Sequence, residues 1–243
     1  MTEKPEKSSN PSEIQVPLEL EEVIKAGVRA GREVPGSVAL GGAVCALFAQ
    51  HRASVDIDFV LADLNARFQE VREHLFGVSG WEEARVRVPV LILGSLDGIE
   101  IGYRQLRRAK PLETMEVQTP SGKLVIPTLG ELLRIKAFLA YDRDFTRDFV
   151  DFAEISCLLD PVQVVDALSV LDETLRWEKQ PSVILEVIKT LLVPQPHDRG
   201  THGFETLRLL NPKLKTWDEV AQKCKDIGRD LAIRILGREP DAT

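Results

Sequence analysis

Asp56 and Asp58 stand two residues apart in Arg52-Ala53-Ser54-Val55-Asp56-Ile57-Asp58-Phe59-Val60-Leu61. Val55, Ile57 and Phe59 alternate with Ser54, Asp56 and Asp58, the period of a half-buried strand, so both carboxylates share one face about 7 Å apart. Carboxylates so placed can hold magnesium, which takes oxygen ligands and reconciles two acids with the negative charge of a triphosphate. The alternative is an exposed acidic edge strand, since aspartate is common on solvated faces.

Just upstream, the apolar run Ser37 to Leu40 breaks at Gly41-Gly42, and Ala43, Val44, Ala46, Leu47 and Phe48 open a helix. Two glycines let the backbone approach a ligand, and the helix behind them presents free N–H groups to an anion. No G-K-[ST] follows and no third glycine arrives in step, so neither a P-loop nor a dinucleotide fingerprint is present. Alone, the pair reads equally as an ordinary strand-to-helix turn.

A second set of charged residues lies much later. Lys136 sits within the apolar helix Leu129-Gly130-Glu131-Leu132-Leu133-Arg134-Ile135-Lys136-Ala137-Phe138-Leu139-Ala140, and Arg143 and Arg147 follow at seven and eleven residues. On one straight helix these three would form a cationic ridge suited to phosphates. In Arg147-Asp148-Phe149-Val150-Asp151-Phe152, Asp148 and Asp151 share one helical side and the aromatics face the core. Capping and salt bridges are the structural alternative for these acids, and Asp151 reads as a helix-packing residue.

The elements that position these groups follow from periodicity. Pro17 to Val34 is a packing helix, Leu64 to Phe76 a second helix closed by Gly77, and Glu83 to Val88, Val90 to Leu93 and Ile99 to Tyr103 are strands. A hairpin is expected in Met115 to Ile126, turning at Ser121-Gly122. Strands and helices mixed at this density predict an α+β fold, a mixed sheet with packed helices. On the strand from Ile99, Glu100, Gly102 and Arg104 share a face, and Glu100 is either a third metal carboxylate or a solvent-exposed acid. From Thr128, an N-cap with Glu131 as its capping-box partner, the pattern is helical: Thr128 to Tyr141, about Thr146 to Leu159, about Pro161 to Arg176, Ser182 to Leu192 and Trp217 to Leu236. The expected organisation is a tail over 1–12, an α/β domain over 13–127 and an all-helical C-terminal domain over 128–243.

The 243 residues carry a formal charge of −7 and 44% hydrophobic residues, enough for packed cores and unlike a protein that coats nucleic acid nonspecifically. The sequence has no apolar run of transmembrane length and no signal-peptide core, so no membrane partner and a cytoplasmic location are expected. Cys45, Cys157 and Cys224 are too dispersed for a disulfide framework or a zinc site. The four histidines match no metal-ligand spacing and receive no role. Arg104, Arg107, Arg108 and Lys110 form the clearest basic patch.

In order and spacing, Gly41-Gly42, Arg52-x-Ser54-x-Asp56-x-Asp58, Lys136, Arg143 and Arg147-Asp148-x-x-Asp151 resemble the nucleotidyltransferase-fold toxins of the AbiEii type, found in bacterial abortive-infection and toxin–antitoxin systems. The resemblance covers residues 36 to 155. It implies a nucleotidyltransferase fold and transfer of a nucleoside monophosphate from an NTP to an acceptor hydroxyl, with tRNA as acceptor and a cognate antitoxin as partner. Asp56 and Asp58 would bind Mg2+, with Glu100 as a further ligand candidate. Gly41, Gly42, Arg52, Ser54, Arg143 and Arg147 would hold the nucleotide, and Lys136 and Asp148 are implied to be needed for activity, Asp148 either orienting Lys136 or deprotonating the acceptor. The chain departs from the wider fold in having no hydroxyl after its first turn glycine and Gly102 where many relatives carry a third strand aspartate. Two rival readings stand beside this one: transfer to a small molecule such as an antibiotic, and a non-catalytic nucleotide-binding module.

Overall fold

The computed structural model describes residues 14–108, 110–175 and 182–237. The expected tail lies outside them. A 3-10 turn at Leu18–Leu20 leads into α1 (Glu21–Glu33), β1 (Val38–Leu40), α2 (Gly42–Ala49), β2 (Asp56–Leu61), α3 (Leu64–Phe76), β3 (Trp81–Arg87), β4 (Leu91–Leu96), β5 (Ile99–Gln105) and the hairpin β6 (Thr114–Thr119) and β7 (Gly122–Pro127). Then come α4 (Leu129–Asp142), α5 (Thr146–Ser156), α6 (Pro161–Ser169), α7 (Leu171–Leu175), α8 (Val183–Leu192), α9 (Arg199–His202) and α10 (Trp217–Leu236).

The main sheet has the order β1-β2-β5-β4-β3, with β2 and β5 parallel and the other pairs antiparallel. The fold is therefore α+β with a mixed sheet. Ile57 and Phe59 of β2 and Ile101 and Tyr103 of β5 are fully buried, and α1 packs against both strands. The Phe59 and Tyr103 rings stack at 5.4 Å, and the Tyr103 hydroxyl donates to the Ala30 carbonyl of α1 at 2.9 Å. Each such apolar side chain contributes about 1.5–3 kcal/mol by leaving water. Because strand side chains alternate, burying Ile57 and Phe59 under α1 turns Asp56 and Asp58 to the opposite face. That face looks toward α2, α4 and α5.

The structure corrects several local expectations. β2 begins at Asp56, and Val55 is 79% exposed, because residues 50–53 are drawn away to pair with the chain near Leu209: Arg52 bridges Leu209, and Leu210 and Asn211 donate to the carbonyls of His51 and Gln50. Thr128 caps α4 by accepting from the Glu131 N–H at 3.3 Å, but the Glu131 carboxylate does not complete a capping box. It accepts from Arg108 at 2.7 Å and Arg134 at 3.0 Å, a buried ionic cluster. The helix carrying Lys136 also stops. α4 ends at Asp142, Asp144 takes a left-handed φ of 54°, and α5 restarts at Thr146, whose N–H and hydroxyl both donate to Asp198. No single helical ridge joins Lys136, Arg143 and Arg147. The helix expected over 161–176 breaks at Val170 into α6 and α7, and Arg176 lies outside the described residues.

Candidate active site

A cleft of about 190 Å³ lies where β2, the start of α2, α4 and α5 meet, and its walls include Gly41, Gly42, Asp56, Asp58, Lys136 and Asp148. The turn that opens it needs both glycines for different reasons. Gly41 has φ 92° and ψ −165°, backbone that only glycine adopts readily. Gly42 has no room for a side chain: a β-carbon there would overlap the Arg52 guanidinium and stand 3.0 Å from the Ser54 hydroxyl. Those two groups occupy the space where a side chain after the first glycine would project. Gly42→Ala is therefore expected to displace Arg52 and lower stability by about 1–3 kcal/mol, the cost of overpacking, read from thermal or urea unfolding. An unchanged midpoint would show that Arg52 can yield.

Behind the cleft is a buried charge cluster. Lys136, 4% exposed, donates to Asp148 Oδ1 at 2.9 Å and lies 2.7 Å from Asp151 Oδ2. Arg52 grips both oxygens of Asp151, through Nε at 2.7 Å and Nη2 at 2.9 Å, and His51 Nε2 lies 2.7 Å from Asp151 Oδ1. Burial works against every charge here. It would raise the Asp151 pKa, yet Arg52 and Lys136 hold that carboxyl well below its ordinary value. Burial would lower Lys136 and Arg52, yet the aspartates push both upward. Lys136, Arg52 and Asp151 thus keep one another ionised. An ammonium has three donors and the aspartates engage at most two, which leaves a direction for a phosphate oxygen. Asp148 Oδ2 is buried with no hydrogen-bond partner among the described residues.

The strand acids are placed differently. Asp56 Oδ1 accepts from the Ser54 hydroxyl at 2.9 Å, so Ser54 positions Asp56. Asp58 Oδ1 accepts from Arg104 Nε of the neighbouring β5 at 3.2 Å. Arg143 and Arg147 also line the cleft, Arg147 with its guanidinium 5.5 Å from the Phe145 ring centroid. Glu100 does not join them. It is the register partner of Asp56, but it is exposed and off the cleft lining, and among the described residues no group of three His, Cys, Asp or Glu side chains is placed to hold a metal. Within the basic patch, Arg108 is committed to Glu131 and Lys110 pairs with Glu173 at 3.3 Å. Sequence reasoning missed two participants, His51 and the role of Arg104. Only the adjacency of His51 to Arg52 hinted at the first, and the shared face of Glu100, Gly102 and Arg104 at the second.

Asp56 and Asp58 suit magnesium in donor type. A hard cation of this size takes one or two carboxylates and completes its shell with water and phosphate oxygens, so two acids suffice without a third.

No family model matches the chain. Over 131 residues it is 31% identical to the mycolic acid-containing lipids exporter MmpL11 of Mycolicibacterium smegmatis, a match covering 50% of this chain and 13% of that protein. Heme uptake protein MmpL11 of Mycobacterium tuberculosis is 30% identical over 129 residues, covering 52% and 12% respectively. The chain thus spans about an eighth of the length of these curated relatives, and no described helix is long and apolar enough to cross a membrane. Among solved structures it is similar to MenT4, a nucleotidyltransferase toxin from Mycobacterium tuberculosis H37Rv, with a TM-score of 0.58 and 16% identity over 88% of this chain and 82% of that one. The fold of this chain is that of a nucleotidyltransferase.

Proposed function

We propose that this protein is a nucleotidyltransferase that moves a nucleoside monophosphate from an NTP to an acceptor hydroxyl, with tRNA the acceptor, and that it acts as a cytoplasmic AbiEii-type toxin held by a cognate antitoxin. The observation that carries the reading is the cleft itself. Asp56 and Asp58 of β2 share it with Lys136 and the glycine turn, the set a triphosphate with its metal needs. In the proposed division the strand acids fall in 13–127 and Lys136 in 128–243, and the cleft draws residues from both stretches.

The acceptor oxygen forms a bond to the α-phosphorus as the bond from that phosphorus to its bridging oxygen breaks, and pyrophosphate leaves in line. Mg2+, when bound by Asp56 and Asp58, supplies charge neutralisation and a lowered acceptor pKa. Lys136 neutralises the triphosphate and departing pyrophosphate. Arg52, Arg143 and Arg147 add positive charge, and N–H groups after Gly41 face the outer phosphates. Asp148 orients Lys136 through Oδ1, and its unengaged Oδ2 is the buried oxygen left to take the acceptor proton.

A basin of about 700 Å³ adjoins the cleft and shares Val60, Arg104, Leu139 and Arg143 with it. Its walls carry Arg87 and Arg107 as well as Phe138 and Tyr141, which suits a polyanion with bases to stack and argues against a cationic drug as acceptor. Incubation with each labelled NTP, Mg2+ and either tRNA or a panel of small molecules tests this. Label is expected on tRNA; label confined to small molecules sinks the tRNA assignment. Gly102 in place of a third strand acid is what favours a non-catalytic module instead. Nucleotide binding that survives Asp58→Ala, with no pyrophosphate released by the wild type, would establish that reading.

A further inference from the structure

Arg104 is committed to Asp58 in a way that bears on how the site loads. The parallel register sets Asp58 beside Gly102 and Val60 beside Arg104. Gly102 contributes no side chain, and the Asp58 carboxylate leans into that space: a β-carbon on residue 102 would overlap its Oδ1. There the same Oδ1 receives Arg104 Nε at 3.2 Å. Asp56, by contrast, is held by a neutral hydroxyl. The Asp58 and Arg104 side chains are 31% and 40% exposed, so the pair is open to ligands rather than locked in the core. Arg104 also lines both the cleft and the adjoining basin.

Resting on the nucleotidyltransferase reading, we infer that Arg104 is a latch on Asp58 which a divalent cation alone opens poorly and a cation with a triphosphate opens readily. The physical reason is exchange of one cation for another on the same carboxylate. A metal arriving alone must displace the guanidinium and then sit beside it. A triphosphate arriving with the metal gives the released guanidinium an anionic partner. Arg104 therefore couples metal binding to nucleotide binding and keeps a free metal from occupying the site by itself.

The test is Mn2+ binding followed by electron paramagnetic resonance, with and without inorganic triphosphate, a probe that needs no choice of base. Arg104→Met is expected to tighten binding of Mn2+ alone by about tenfold, the scale of removing one positive charge near a dication in a solvated cleft, and to shrink the gain that triphosphate gives. Arg104→Lys keeps the charge and is expected to bind like the wild type. If Arg104→Met stays within about twofold of the wild type while Asp58→Ala weakens binding, the metal site stands and the latch is overturned. If Asp58→Ala leaves Mn2+ binding with triphosphate unchanged, the metal reading fails and takes the latch with it.

Discussion

On the proposed function, Asp58→Ala is expected to lower nucleotidyl transfer by on the order of a thousandfold, about 4 kcal/mol of transition-state stabilisation lost with the carboxylate assigned to the metal. The fold should survive the change. The Asp58 side chain is a third exposed, and the only group it hydrogen-bonds among the described residues is Arg104 on the neighbouring strand. An unfolding midpoint near that of the wild type, beside an initial rate of pyrophosphate release at background, is the expected pair of results. A rate within tenfold of the wild type would remove Asp58 from the reaction and with it the metal placement on β2.

Asp151→Ala has the other large effect, and it falls on stability. Its carboxylate, fully buried, is the common partner of Lys136, Arg52 and His51. Deleting it leaves cations inside the protein with too little negative charge, and breaking a buried pair from one side costs about 3–5 kcal/mol. Urea unfolding at neutral pH measures this; a loss below about 1 kcal/mol would mean the cluster relaxes or hydrates.

The same deficit depends on pH. The Asp151 pKa is depressed in the folded protein despite burial, because Arg52 and Lys136 favour its ionised form. Its contribution is thus full above the unfolded carboxyl value of about 3.9 and is lost as pH falls through the folded value. Lys136 is shifted the opposite way, burial being outweighed by the aspartates. Its contribution is full below about 10.4 and disappears only as pH rises through the raised folded value. The stability gap between wild type and Asp151→Ala should close in acid, as Asp151 of the wild type takes up its proton. A gap that grows on acidification would contradict this assignment of charge.

Local pattern carried much of the fold. α3 runs from Leu64 to Phe76, the span its apolar stripe predicts, and α10 from Trp217 to Leu236 likewise. Such elements depend on side chains within one or two turns, which periodicity reads directly. Lys136 was legible as unusual because a lysine flanked by Ile135 and Ala137 has little reason to be there unless something buried answers its charge. What answers it was not legible. Asp151 reads as one acid on an amphipathic helix, but it becomes the hub of the cluster because α5 packs against α2, which brings His51 and Arg52 to it across about a hundred residues of chain.

The sequence by itself determined that Asp56 and Asp58 point one way off a strand, that a glycine turn precedes them, and that strands give way to helices after Pro127. These are consequences of side-chain period and backbone preference, both local. Only the tertiary structure decided that Arg104 holds Asp58, that Glu100 stays outside, and that α4 and α5 bend apart yet return Lys136 and Asp148 to one cleft. Those outcomes depend on which strand lies beside which and on how separately folded helices meet, and long-range packing of that kind leaves no periodic trace in the chain.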